Sequence, residues 1–295
     1  MNSRTRALVE IVILYLLTAA AGVLTYASTT GDEIVRFLLA DLVMTAVVFV
    51  MSVAKRNTSA YDAFWSVIPF CFIVGLWLLY GDTTWSSSAW AVAAVVGAWS
   101  WRLTFNWARG WTGWHHEDWR YVMFRERMGR NFVWINVFGL HLYPTLAVFL
   151  ACVPLFWIAQ PTQEIVWLMA MGVGISWLGV WFEFQADNEL ADFRKRAGRN
   201  PEDLLDTGLW ARCRNPNYLG EMLFWIGLAV CGVAAGGPWY VASGALGMVV
   251  LFITASIPMK EQRMLARRPS FSDYVQRVPM VLPLGRPAAH TQDAP

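Results

Sequence analysis

"RCRNPNYLGEMLFWIGLAVCGVAA", Arg212 to Ala235, starts as a charged loop and ends as a long apolar run. That change of character within one segment marks the edge of a bilayer, because an apolar helix needs about 20 residues to cross one. Similar runs recur at roughly 8–27, 37–53, 64–80, 89–106, 133–157, 165–184, 219–236 and 239–258. The expected fold is therefore an all-α, polytopic transmembrane bundle of about eight spans (seven to eight). Composition agrees: of 295 residues, 57% are hydrophobic and only 15% charged, against about 25% charged in soluble domains. A transmembrane barrel would instead show short alternating segments.

Charge placement orients the bundle. Eight spans put both termini on one side, and all of the 23 Lys and Arg except Arg36 then lie on that side or at its edge. Basic residues in short loops mark the cytoplasmic face, so both termini are expected in the cytoplasm. The opposite loops, near Asp32, Asp82, Gln160 and Gly236, are short and nearly uncharged, which puts the working face inside. The net charge of +2 reflects this asymmetry and gives no sign of nucleic-acid binding. One domain over 1–287 is expected, followed by a disordered tail at 288–295, small, polar and Pro-containing. Cys71, Cys152, Cys213 and Cys231 lack paired spacing, so neither a disulfide framework nor a metal site is expected. "GVGISWLG" (172–179) lies inside a span and follows no strand, so it is not a dinucleotide fingerprint.

Four polar clusters gather at the expected cytoplasmic edge. In "SAYDAFWSVIP" (59–69), Asp62, Trp65, Ser66 and Pro69 share one helix face. An acid at the mouth of a span is a functional candidate, and equally a helix-start carboxylate favoured by the dipole. In "WSWRLTFNWARG" (99–110), Arg102 and Arg109 fall on one face, a pattern suited to an anion or to snorkelling. His115 and His116 in the following "HHEDWRY" lack the spacing of a zinc helix and read as loop surface. Glu183, Asp187, Leu190 and Arg194 form a stripe that continues a membrane helix outward; a salt-bridged exposed helix is the plainer reading. In "RCRNPNYLGE", Arg214 has the fork to grip a phosphate, and Asn217 and Tyr218 offer directional donors and acceptors. Glu221 sits one turn into the membrane, where it is costly unless paired or facing a cavity.

Taken together, "YDAFWSVIP", "WRLTFNWARG", "EDWRY", "ADNELADFRK" and "GLW…RNPNYLGE" occur in an order that resembles the steroid 5-alpha-reductase family, in particular a bacterial branch of uncharacterised membrane proteins, over roughly residues 50–285. The resemblance implies an NADPH-dependent oxidoreductase reducing a conjugated (enone-type) double bond in an apolar steroid- or lipid-like substrate. The compact chain without targeting motifs is expected in a bacterial inner membrane, and no obligate protein partner is evident in the sequence. It further implies that Glu183, Asp187, Arg194, Arg214, Asn217 and Tyr218 face the cofactor, with Arg102 and Arg263 at further cofactor positions, and that Trp65, Trp99 and Glu221 lie on the substrate side. Steroid-reducing members carry a Gln-Glu pair where this chain has Tyr61-Asp62, and a catalytic tyrosine where it has Trp99. Tyr61 and Asp62 are therefore expected to polarise the substrate carbonyl together. Two other readings remain: an S-adenosylmethionine-dependent methyltransferase of the isoprenylcysteine type, whose tail typically carries paired glutamates where this chain has only Glu261, and a non-catalytic lipid-binding protein, in which the polar clusters would not converge.

Overall fold

The computed structural model describes residues 3–81, 85–196, 198, 200 and 202–283; the expected tail 288–295 and the loop residue Asp82 lie outside them. The described chain is helical throughout, with no strand among those residues. In order it forms α1 (Ser3–Ser28), α2 (Glu33–Lys55), α3 (Ala60–Tyr80), α4 (Ser87–Gly110), α5 (Trp119–Met128), a single turn α6 (Phe132–Trp134), α7 (Tyr143–Cys152), α8 (Pro154–Ala159), α9 (Val166–Lys195), α10 (Pro216–Ala234), α11 (Ser243–Leu251), α12 (Ile257–Arg267) and α13 (Phe271–Arg277). Caps start several of them: Asp32 accepts from the Val35 amide at 3.2 Å and Ser86 from the Ala89 amide at 3.2 Å, each satisfying a donor the helix leaves open.

Among the described residues, seven helical segments are long and apolar enough to cross a membrane: 3–28, 33–55, 60–80, 119–159, 166–195, 216–234 and 239–267. The chain is an integral membrane protein. The expected fourth span is not among the seven, because Ser, Trp, Asn and Arg lower the hydropathy of α4. It nonetheless runs the length of the bundle. At its start Ser88 donates to Glu164, beside the 159–166 loop. At its end Arg4 donates to the carbonyls of Ala108 (2.9 Å) and Trp111 (3.0 Å), beside the N-terminus. The bundle thus has one end carrying most of the charge and an opposite end nearly without it, where Arg36 stays behind, stacked 3.7 Å over the Tyr26 ring.

Two helices are interrupted by π-helical turns, at Ile135–Leu142 and Phe252–Ser256. Each interruption is followed by a proline, Pro144 or Pro258, near the start of the next helix. Proline has no N–H and crowds the carbonyl four residues back, here Leu140 and Thr254, so each ladder admits extra residues at that point.

An extended close helix contact is α9 against α10. A Cβ at Gly179 would lie 2.6 Å from the Gly220 carbonyl oxygen; one at Gly227 would lie 2.5 Å from the Gly172 carbonyl oxygen and 2.3 Å from Ser176 Oγ. The backbones touch because there is nothing between them, the membrane device of small residues at helical spacing. "GVGISWLG" is one half of that contact. Replacing Gly227 by Leu is expected to cost roughly 1–3 kcal/mol, read as a lower unfolding midpoint of the detergent-solubilised chain. Gly174→Leu on the partner helix α9, where a Cβ meets nothing within 4 Å, should leave the midpoint in place; an equal fall in both variants would refute the packing account.

Candidate functional site

The α9–α10 contact delivers two acids to one arginine. A Cβ on Gly220 would meet Glu183 Cγ at 2.4 Å, so only glycine lets Glu183 lie there. Glu183 forms an ion pair with Arg102 of α4; Arg102 Nη1 also donates to Asp187 Oδ2 at 2.5 Å, and Nη2 stands 3.6 Å from Glu221 Oε1. Asn106 Nδ2 donates to Asp187 at 2.5 Å and Trp99 Nε1 to Glu221 Oε2 at 3.3 Å. Glu183 and Trp99 are fully buried, at 0% exposure. In this geometry the three acids surround the Arg102 guanidinium, and Trp99 stacks on Phe224 with centroids 4.6 Å apart. Arg109 does not join Arg102 on an anion. It donates to Asn106 Oδ1 at 3.0 Å and is exposed. Nor is the Glu183 stripe an exposed salt-bridged helix at its start, because α4 covers it.

Beside this cluster, at the charged end, lies an apolar chamber of about 540 Å³. Both π-helical turns form its walls, through Gly139 and Leu140 on one side and Phe252, Ala255 and Ser256 on the other. Its polar end holds Asp62, Arg120 and Tyr121. The Tyr121 hydroxyl donates to Asp62 Oδ1, and Arg120 Nη2 reaches the same oxygen at 3.3 Å. The chain makes this meeting by strapping the 114–118 loop onto the start of α3. Asn57 Nδ2 donates to the carbonyls of Trp114 (2.8 Å) and His116 (3.0 Å), Thr58 N donates to Glu117 Oε1 at 2.8 Å, and Asp118 N donates to Ser59 Oγ at 2.8 Å. His115 and His116 stay exposed on that loop. Tyr61 and Trp65 also line the chamber. The expected pairing of Tyr61 with Asp62 does not form, since neighbours in a helix point about 100° apart; Tyr61 is 2% exposed and its hydroxyl bonds Thr145 Oγ1 at 2.7 Å, which bonds Thr45 Oγ1 at 2.8 Å.

A second cavity of about 820 Å³ adjoins the chamber, the two sharing Trp119 and Lys260 as walls. Arg194, Arg214, Lys260, Arg263, Arg267 and Arg268 line it, with no acidic residue among the described lining. Arg263 stacks 4.0 Å over the Trp119 ring. Asn217 lines the same cavity, and its buried Oδ1 has no hydrogen-bond partner. Tyr218 lies on the chamber side, against Phe252. Arg194, Asn217 and Arg263 thus line one basic cavity.

Arg214 has a different duty. Its Nε and Nη2 hold Glu261 bidentately at 2.9 and 3.2 Å, and its Nη1 donates to the carbonyls of Val275 (2.9 Å) and Val278 (2.5 Å). With four donors in use it clasps the C-terminal segment under the cavity. Cys213 adds a thiol donor to the Val281 carbonyl, and burial pushes that thiol up to about 11. Gly208, at φ +61°, turns the preceding loop so that Glu189 accepts from the Leu209 amide at 2.9 Å; a Cβ there would strike the Glu189 carboxylate.

Sequence reasoning missed Arg120, Tyr121, Trp119 and Lys260 as site residues. The one available signal was that "EDWRY" carries charge and aromatics without a helical face of its own.

A family model described as a protein of unknown function, DUF1295, matches residues 48–278. An uncharacterized protein of Schizosaccharomyces pombe is 26% identical over 278 residues, covering 83% of this chain and 78% of its own. No solved structure gives a significant match.

Arg102 is the cation in direct contact with Glu183, Asp187 and Glu221, and Arg102→Leu leaves those carboxyls without it. The expected loss is roughly 3–5 kcal/mol, seen as a large drop in the unfolding midpoint or in yield of folded protein, with Glu221→Gln much milder. Wild-type stability in Arg102→Leu would show that the cluster does not hold the helices together.

Proposed function

The chain belongs to the DUF1295 family of integral membrane proteins, and from that premise and its two joined cavities we propose that it is an NADPH-dependent reductase of a conjugated double bond in a lipid-like substrate. The observation that supports this most directly is the shared wall: a cavity lined by six cations and no acid meets an apolar chamber with one polar end, at Trp119 and Lys260. A polyanionic dinucleotide suits the first and an apolar enone the second. S-adenosylmethionine carries no phosphate and suits the basic lining poorly. The polar clusters converge at one end of the bundle, unlike the arrangement expected of a non-catalytic lipid-binding protein.

The residues fit the cofactor on the structure's own terms. Arg263, Arg267 and Arg268 would hold its phosphates, and the unpartnered Asn217 Oδ1 is a buried acceptor available to an amide N–H. When bound, NADPH supplies a hydride for the β-carbon of the enone. The chain's own part lies at the carbonyl. Arg120, whose fork keeps N–H groups beyond those on Asp62 and Asp118, donates a hydrogen bond there, and Tyr121 does so by turning its one O–H proton from Asp62 to the carbonyl oxygen, where negative charge builds as the double bond is reduced. Asp62 positions both donors. The apolar walls around that end lower the local dielectric and strengthen those bonds. A proton from solvent completes the α-carbon, giving the saturated ketone. We further propose that the charged end faces the cytoplasm, on the placement of Lys and Arg.

Calorimetry on the purified protein should show NADPH binding, weakened in Arg263→Ala and Arg268→Ala, with no binding of S-adenosylmethionine. Binding of S-adenosylmethionine alone would overturn the reading. Tyr121→Phe is expected to lower kcat by about 10²–10⁴-fold with NADPH affinity unchanged, whereas Tyr61→Phe, whose hydroxyl is engaged by Thr145, should change it little; the reverse pattern would assign the donor to Tyr61.

A further inference from the structure

We propose that Trp119 is a positioning residue of the basic cavity: its indole ring holds the Arg263 guanidinium so that the N–H edge of that group meets a phosphate. Only the assignment of this phosphate to NADPH rests on the reductase reading.

The arginines of the charged end are held in two ways. Arg102, Arg120, Arg125 and Arg214 are each paired with a carboxylate, that of Asp187, Asp118, Glu117 and Glu261 respectively. A carboxylate occupies N–H groups of the fork and offsets its charge. Arg263 is held by a ring instead. Its Cζ lies 4.0 Å from the centroid of Trp119, and among the described residues no carboxylate stands within ion-pair distance of it. The negative face of an indole attracts a cation and engages only the face of the guanidinium. The five N–H groups lie in the guanidinium plane. They remain available for the two-point grip that suits a phosphate, and the positive charge stays whole.

The ring is itself fixed from the other side. Trp119 opens α5. Asp118, just before it, donates its backbone N–H to Ser59 Oγ at 2.8 Å and caps the helix by accepting from the Arg120 amide at 2.9 Å. Arg120, just after it, reaches Asp62 at 3.3 Å. Trp119 lines both the chamber and the basic cavity. Three consecutive residues thus join the start of α3, the edge of Arg263 and the polar end of the chamber, so the ring sets how far a bound phosphate stands from that end.

Calorimetry on the full-length, detergent-purified protein, with NADPH and inorganic pyrophosphate as separate probes, tests this. Arg263→Ala and Trp119→Leu should each weaken binding about tenfold. The double variant should bind no more weakly than Arg263→Ala alone, because the ring acts through the guanidinium. Trp119→Phe, which keeps a ring, should recover part of the loss; if Trp119→Leu does not fold, Trp119→Phe carries the same comparison at about threefold. Arg263→Lys keeps the charge without the planar fork and should also bind more weakly. Losses that multiply in the double variant, wild-type affinity in the Trp119 variants or in Arg263→Lys, no recovery with Phe, or no binding of either probe overturn the proposal. The expected pattern with NADPH supports both readings; the same pattern with pyrophosphate and no NADPH binding supports the role of Trp119 while sinking the reductase.

Discussion

The near-contact of two backbones, α9 on α10, is the constraint from which the charged end of this bundle is built. Glycine at 172, 179, 220 and 227 removes every side chain that would hold the helices apart. Only at that spacing do Glu183 and Glu221 reach one guanidinium, and only α4 supplies it. Arg102 thereby ties α4, which falls short of a candidate span, to two helices that are apolar enough to cross a membrane. Buried charges of this kind add little net stability when complete and cost much when broken, so the cluster works mainly as a registration device.

Once α4, α9 and α10 are registered, the rest of the charged end follows. The loop after α4 is laid on the start of α3 by Asn57, Thr58 and Ser59, which brings Arg120 and Tyr121 to Asp62. Arg214 does the corresponding work at the start of α10, where it binds Glu261 and the carbonyls of Val275 and Val278 at the end of α13. Two prolines open the remaining walls: by disturbing the ladders before Pro144 and Pro258, they widen the helices that face each other across the chamber. Rigid registration on one side and loosened helices on the other leave an apolar space in the middle and a basic one beneath it.

Much of this was legible from single residues. Apolar run length announces a span, because the bilayer core has one thickness and backbone polar groups must be satisfied within the helix. Arg194, Asn217 and Arg263, singled out in the sequence through the family resemblance, line one basic cavity. Where the reading went astray, the cause was a partner far along the chain. Arg214 looks like a phosphate grip until Glu261 is seen 2.9 Å away. Glu183 looks exposed until α4 covers it. Tyr61 looks like the partner of Asp62 because it is adjacent, yet helical geometry turns it toward Thr145 instead.

The amino-acid sequence by itself determined the class of the protein: a multi-span helical membrane bundle with its polar chemistry concentrated at one end. Run length, charge asymmetry and turn residues are local quantities, and they suffice for that. Which charges neutralise one another and which remain to meet a ligand was decided by the tertiary structure alone. Arginine and glutamate carry the same side-chain chemistry in both roles, and the difference lies in whether the fold sets an opposite charge within hydrogen-bond reach.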